Sequence, residues 1–297
     1  MRSLSLVALA ACSIDMSQAQ PWVPIEAVGA PLVPELAADP PSPPGSRGTR
    51  PAVTTTPLRV VTYNVEYGPD IPGAIGALTS DPELAKAGLV LVQEIEAYPG
   101  EGASRTAQLA AGLGFGYVYV PARVRGDGTH GLAILSAFPI TNVEKMDLPD
   151  SAKPTQHRIA ISADIDVDGH LLHIINVHLD TKLDARERIA QLSPSVVDAP
   201  PATLVAGDFN TSWIAWVHGI PVLDTTGASD QAPVVDSYMT HLGFDAPTRD
   251  SGVTEHMYGI EQRLDSIYTR DLDATFGGVV RVGPSDHWPM WLDVRLP

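Results

Sequence analysis

From Leu58 to the C-terminus, short apolar runs recur, and six strand-like stretches carry an acid, an amide or a histidine at one end. "RVVTYNVEYG" delivers Asn64 and Glu66, "LVLVQE" delivers Glu94, "LHIINVHLD" delivers His178 and Asp180, and "LVAGDFN" delivers Asp208 and Asn210. Further on, "RLDSIY" offers Asp265 and "GPSDHWPM" offers Asp286 and His287. Apolar runs of this length bounded by turn residues read as buried strands. A polar group at the end of such a strand is held rigidly at the mouth of a sheet, where α/β proteins place much of their chemistry. Singly, each ending is equally a turn or cap: Asp208 and Asn210 fit that description, Asp265 can pair with Arg263, His178 can be a satisfied core histidine and Asp286 a cap. Six together point to a converging site.

The strands expected are Leu58 to Tyr63, Leu89 to Val92, Tyr117 to Val120, Gly131 to Leu135, Arg158 to Val167, Leu171 to Val177, Thr203 to Ala206, Ser266 to Thr269 and Trp291 to Leu296. Asp168 and Gly169 form the turn of a hairpin. Helical spacing predicts helices over Ala103 to Leu113, Asp184 to Leu192 and Pro233 to Leu242. With no internal repeat, residues 58–297 read as one domain. The chain has 297 residues, 44% of them hydrophobic, enough for one large core or two modest ones. A net charge of −16, from 35 acids against 19 Lys and Arg, argues against tight, non-specific nucleic-acid binding.

Residues 1–19 place one Arg before a short apolar run and Cys12, the single cysteine, so no disulfide forms within the chain. This reads as an export signal. Leu9-Ala10-Ala11-Cys12 resembles the bacterial lipobox, which implies a lipid-anchored envelope protein tethered through Cys12. Soluble secretion with cleavage after Ala19 is the rival reading, and a disordered apolar tail the plainest one. Residues 20–57 are crowded with proline and read as a linker.

From Leu58 onward the chain resembles the endonuclease/exonuclease/phosphatase superfamily, whose best-known member is deoxyribonuclease I. The motifs stand in family order: the Asn of "TYNVEYG", the Glu of "VQE", "HGLAILSAFPI", "NVHLD", "GDFN", "RLDSIY" and "SDHWP". The resemblance implies an α/β fold, a four-layer sandwich of two mainly antiparallel β-sheets flanked by helices. It also implies that Glu94 is the principal metal ligand, with Asn64 beside it and Glu66 and Asp286 contributing to the same or a second ion. Asp208 would align or activate water, and Asn210 would hold the phosphate or nucleophile. His287 would contact the phosphate with its ring fixed by Asp265, and His178 would be a second histidine donor.

Read without the family, carboxylates, carboxamides and two histidines with no thiolate suit Mg²⁺, with Mn²⁺ as the alternative, better than zinc. Hydrolysis of a phosphoester fits this set, because a metal neutralises phosphoryl oxygens that the acids would otherwise repel. The expected activity is a metal-dependent phosphodiesterase or nuclease. The alternatives are a sphingomyelinase-like phosphoesterase acting on phospholipid headgroups or an inositol-phosphate-type one, and a non-catalytic envelope lipoprotein binding through the same fold. Trp213, Trp216, Trp288 and Trp291 could meet lipid or simply pack. Arg123, Arg125, Lys153, Arg158 and Lys182 are candidates for substrate phosphates, against an ordinary role as solvated surface charge. One departure concerns specificity: where family members often have Gly-Asn-Ala-Ile-Leu, this chain has Gly131-Leu132-Ala133-Ile134-Leu135, preceded by His130.

Overall fold

The computed structural model describes residues 20–25, 56–151, 155–217, 220–223, 231–257 and 259–296. Cys12 and Lys153 lie outside them, as do the whole export signal and most of the linker. In chain order the elements begin with β1 (Val23–Pro24), β2 (Leu58–Asn64), α1 (Ile71–Ser80), β3 (Leu89–Ala97), α2 (Arg105–Leu113), β4 (Gly116–Arg125) and β5 (Gly128–Ser136). They continue with β6 (Ile140–Asp147), β7 (Ile159–Val167), β8 (His170–His178), α3 (Ala185–Val196), β9 (Thr203–Asp208), β10 (Ile214–Val217) and β11 (Ile220–Leu223). The last are α4 (Ala232–His241), β12 (Glu255–Met257), β13 (Ile260–Gln262), β14 (Asp265–Arg270), β15 (Asp273–Val279) and β16 (Met290–Arg295).

Two six-stranded sheets result, in the orders β1-β6-β7-β8-β9-β14 and β15-β16-β2-β3-β5-β4. Each is antiparallel except for one pair, β8 with β9 and β2 with β3. Both faces of β2, β5 and β9 are covered, which is why each contains consecutive apolar residues, Val60–Val61, Leu132–Leu135 and Leu204–Ala206, instead of strict alternation. One apolar core fills the space between the sheets and reaches α1 and α2. A second joins the outer face of the β8–β9 sheet to Leu192 and Val196 of α3 and Val235 and Met239 of α4. The layers are therefore helix, sheet, sheet, helix, the sandwich that the sequence led us to expect.

Local chemistry sets the helix ends. Ser104 caps α2 by accepting from the Ala107 N–H at 3.1 Å, and Gly114 closes it in the left-handed conformation. Asp184 and Glu187 form a capping box on α3. That helix runs past Pro194 to Val196, beyond the expected end at Leu192, and Val196 is fully buried.

Eight described strands and α-helices were absent from the sequence expectation: β1, β10, β11, β12 and β13, each of four residues or fewer, and the longer α1, β6 and β15. In α1, Gly73 and Gly76 hide a helical pattern whose buried positions are Ile71, Ala74 and Leu78. In β6, a bulge between Thr141 and Glu144 breaks the two-residue alternation. Strand β15 is a largely exposed edge with two glycines and its own bulge. Within the stretch expected to be linker, Val23–Pro24 pair with Lys145 and Glu144 of β6, and Ile25 joins the inter-sheet core.

Candidate active site

The two parallel pairs end at the same mouth. Asn64 and Gln93 form the last rung of β2–β3, and His178 and Asp208 the last rung of β8–β9. Asp265, at the start of β14, faces Asp208 from the other side. The segment before β16 crosses above them: the Ser285 hydroxyl donates to the Asn64 carbonyl at 2.7 Å and accepts from the His287 N–H at 3.1 Å. Gly207 is required for the close approach of β9 to β8, since a Cβ there would stand 1.9 Å from the Val177 carbonyl oxygen.

Buried Asp208 is the hub. Its Oδ1 accepts from the Asn210 N–H at 2.8 Å, and its Oδ2 from the Asn64 amide at 3.0 Å across the two sheets. The His178 Nε2 lies 3.4 Å from Oδ2 and the His287 Nε2 3.8 Å. Burial pushes the Asp208 carboxyl up to about 7; Asp265 adds to the effect and His287 opposes it. The Asp265 carboxylate bonds the His287 Nδ1 at 2.8 Å. Burial works against charge on that imidazole, but Asp265 and Asp208 outweigh it and hold its pKa well above the ordinary histidine value. Ligand atoms of Asp208, Asp265 and His287 lie within 4.8 Å of one another, close enough to share an ion.

Glu94 occupies a bulge of β3 with φ of 59°, which turns its carboxylate from the strand into the cleft. Burial alone would raise its pKa, yet His130, His178 and Arg158 reverse the sign and keep it well below the carboxylate range. Glu66 and Asp286 behave oppositely. Burial and the neighbouring Asp286 carboxylate raise Glu66, while burial and Glu94 raise Asp286 against the opposing pull of His287. These three acids are the ones the sequence resemblance assigned to a cation, whereas the group whose ligand atoms converge within 4.8 Å among the described residues is Asp208, Asp265 and His287.

The structure refines several expected roles. Asn64 Oδ1 accepts from the Glu66 N–H at 3.0 Å while its amide donates to Asp208 at 3.0 Å, so this residue ties two acids together. Asn210, with φ of 50°, spends one amide proton on the Leu179 carbonyl and keeps the other for a ligand. Asp265 does not pair with Arg263, which bonds Asp236 instead. Burial and Arg158 drive the pKa of His178 well below the ordinary histidine value.

Arg158, weighed as surface charge, is buried, with Nη1 2.9 Å from the His178 Nδ1. Arg125 bonds Glu96 and lies over the Tyr67 ring. Lys182 contributes its backbone N–H to Asp180 at 2.9 Å. Trp291 packs under Arg59, Trp288 lies against Arg281, and Trp213 is exposed. Two site residues lay beyond sequence reasoning. Thr254 accepts from the Leu264 and Asp265 N–H groups, and Glu255, in a three-residue strand, is pushed up to about 7 by burial.

Residues 55–287 match the model of the Endonuclease/Exonuclease/phosphatase family. The chain belongs to this family. No curated protein sequence matches the chain. Among solved structures, an endonuclease/exonuclease/phosphatase from Beutenbergia cavernae DSM 12333 is 22% identical, with a TM-score of 0.58 over 80% of this chain and 71% of that one. The mannosyl-6-phosphatase of Bacteroides thetaiotaomicron VPI-5482 is 16% identical, with a TM-score of 0.58 over 80% of this chain and 100% of that one. The human Nocturnin catalytic domain, solved with a bound sulfate anion, is 16% identical, with a TM-score of 0.57 over 81% of this chain and 94% of that one. At these identities the structural likeness concerns the fold. Members of the Endonuclease/Exonuclease/phosphatase family hydrolyse phosphoesters, and the mouth of the sandwich carries this chain's candidate residues for that chemistry.

Proposed function

We propose that this chain is a Mg²⁺-dependent phosphodiesterase, with Mn²⁺ as a substitute ion. One observation carries the reading: buried Asp208 holds its Oδ2 3.4 Å from the His178 Nε2 and 3.8 Å from the His287 Nε2, and the His287 ring is itself fixed by Asp265 at 2.8 Å. Glu94, Glu66 and Asp286, with Asn64, would hold the ion. When bound, the ion neutralises phosphoryl oxygens and the leaving group. The protonated His287, its ring set by Asp265, donates Nε2–H to the phosphate. Asn210 adds its free amide proton. Asp208, fixed by Asn64 and by the Asn210 N–H, aligns water for attack and takes its proton, a task suited to a pKa near the working pH. His178 serves as a second histidine donor.

We place the activity in the domain at 58–297. Export, and a lipid tether through Cys12, rest on the N-terminal sequence. Nucleic acid is the preferred substrate reading. A phospholipid headgroup is the second, favoured by Trp213 standing 44% exposed. The test is nitrophenol release from bis(p-nitrophenyl) phosphate and p-nitrophenyl phosphate with Mg²⁺, Mn²⁺ or EDTA, in wild type and Asp208→Ala. Metal-dependent cleavage of the diester, lost in the variant, is expected. Near-normal turnover in folded Asp208→Ala would overturn the mechanism. Oligonucleotide and lipid-vesicle substrates then separate the two substrate readings.

A further inference from the structure

One wall of the cleft carries cations that the hydrolysis described above does not use. Arg123 stands opposite His130 in the β4–β5 register, on the same face of the sheet. Beside them the Arg125 guanidinium lies 3.9 Å over the Tyr67 ring, and Tyr67 and His178 lie 6.0 and 6.2 Å from the His130 ring. Arg158 closes the wall against His178. Three guanidiniums thus line one side of a site in a chain of net charge −16.

Their partners differ. Arg125 is bonded to Glu96. Arg158 spends Nη1 on His178, and its buried Nε, 3.5 Å from Asp180, makes no hydrogen bond among the described residues. The His130 side chain is 3% exposed and neither ring nitrogen has a hydrogen-bond partner there. A cavity of about 10 Å³ beside His130, Arg158 and His178 has room for one water to serve these two residues. Arg123 is left over. It pairs with no carboxylate among the described residues, and its Nε is buried without a partner. Burial and the charges of Arg158 and Arg125 oppose the charge on Arg123, while Glu94 and Tyr67 favour it without cancelling the opposition.

We propose that Arg123, backed by Arg158, forms a second oxyanion subsite, and that the substrate therefore carries a second phosphate besides the one being hydrolysed. The proposal rests on the phosphodiesterase reading and deepens it. Contacts of 3.8, 3.4, 3.6 and 3.9 Å link His287, Asp208, His178, Glu94 and His130 in turn, and Arg123 stands opposite His130, so three side chains intervene between Asp208 and Arg123. A planar guanidinium fork matches phosphate oxygens, which favours phosphate over a monovalent ion.

Binding to the full chain carrying Asp208→Ala, which halts turnover, is measured calorimetrically with Mg²⁺. The probes are dithymidylate with and without a 5′-phosphate, and glycerophosphoinositol with and without a ring phosphate, so that the two pairs separate a nucleotide source from a headgroup source. In at least one pair the phosphorylated member should bind ~10-fold or more tightly, as expected for a desolvated charge-assisted contact. Arg123→Gln should erase that preference, Arg123→Lys should keep part of it, and Arg281→Gln, an exposed control, should leave it whole. Equal affinity within both pairs, absence of binding by all four probes, or a preference that survives Arg123→Gln overturns the subsite. Hydrolysis of bis(p-nitrophenyl) phosphate, which has one phosphate, tests the underlying activity separately.

Discussion

The interior of the sandwich and its mouth both bury polar side chains, but they treat them differently. In the interior, the Gln93 amide donates to the Asn176 Oδ1 at 2.7 Å, and Asn176 in turn donates to the Val92 and Ala133 carbonyls at 3.0 and 2.9 Å. Thr62 completes the group by bonding Gln93. At the mouth, the Asp265 Oδ1, both His130 nitrogens and the Arg123 and Arg158 Nε atoms are buried without a partner among the described residues. A buried polar group left unpaired costs about 1–3 kcal/mol, so saturation is the expected outcome of selection for stability alone. The interior amides hold two sheets in register. The mouth gathers five unpartnered atoms in one place, whereas Thr106 Oγ1, Ser162 Oγ, Arg188 Nε and Thr269 Oγ1, also without a partner among the described residues, stand on four separate elements.

The sharpest way to break this contrast is to alter the hub. Asp208→Ala should reduce kcat/KM for a phosphodiester by ~10²–10⁴-fold while shifting thermal stability little, measured by nitrophenol release and calorimetry. The reverse pattern belongs to the interior. Asn176→Leu should destabilise the chain by ~2–4 kcal/mol, because it leaves the Gln93 amide and two carbonyls short of partners, while the fraction that remains folded keeps its turnover. Denaturant titration together with activity per folded molecule checks both halves.

A third prediction concerns pH. Burial lifts the Glu255 carboxyl from 4.5 to about 7, so the folded chain holds that proton more tightly than the unfolded chain. The stability linked to this proton is complete below about pH 4.5 and is lost as pH rises through about 7. Glu255→Gln, which stays neutral, should therefore be more stable than wild type by about 1–3 kcal/mol above neutrality, with the gain vanishing in acid. The smallest effect is expected at the rim. Arg281 and Glu261 form an exposed pair at 3.0 Å, and Arg281→Gln should change stability by less than ~0.5 kcal/mol.

Much of this contrast was legible in the sequence, for identifiable reasons. Strands covered on both faces leave apolar runs, and the polar residues ending those runs, from Asn64 to His287, stood in an order that pointed to one site. What the sequence hid is equally specific. Helix α1 is built around glycines, β6 contains a bulge, and β15 lies exposed on an edge. Arg123 and Arg158 were candidates for substrate phosphates that could not be told from surface charge, because nothing in a strand's own pattern tells which cation faces the cleft. Thr254 and Glu255 were invisible because a three-residue strand has no period to read. Asn64 was expected beside Glu94 on the metal, yet its bond to Asp208 depends on the spacing of two sheets that no local stretch encodes.

The measurement that tests the chemistry of the mouth most directly is a calorimetric titration of Mn²⁺ into wild type, Glu94→Gln, His287→Asn and Asn176→Leu. Wild type and folded Asn176→Leu should bind the ion saturably and alike, and Glu94→Gln should weaken binding by ~10-fold or more. Binding that ignores Glu94→Gln, or that is lost only in His287→Asn, would move the ion to the Asp208, Asp265 and His287 group and contradict the assignment of roles made here.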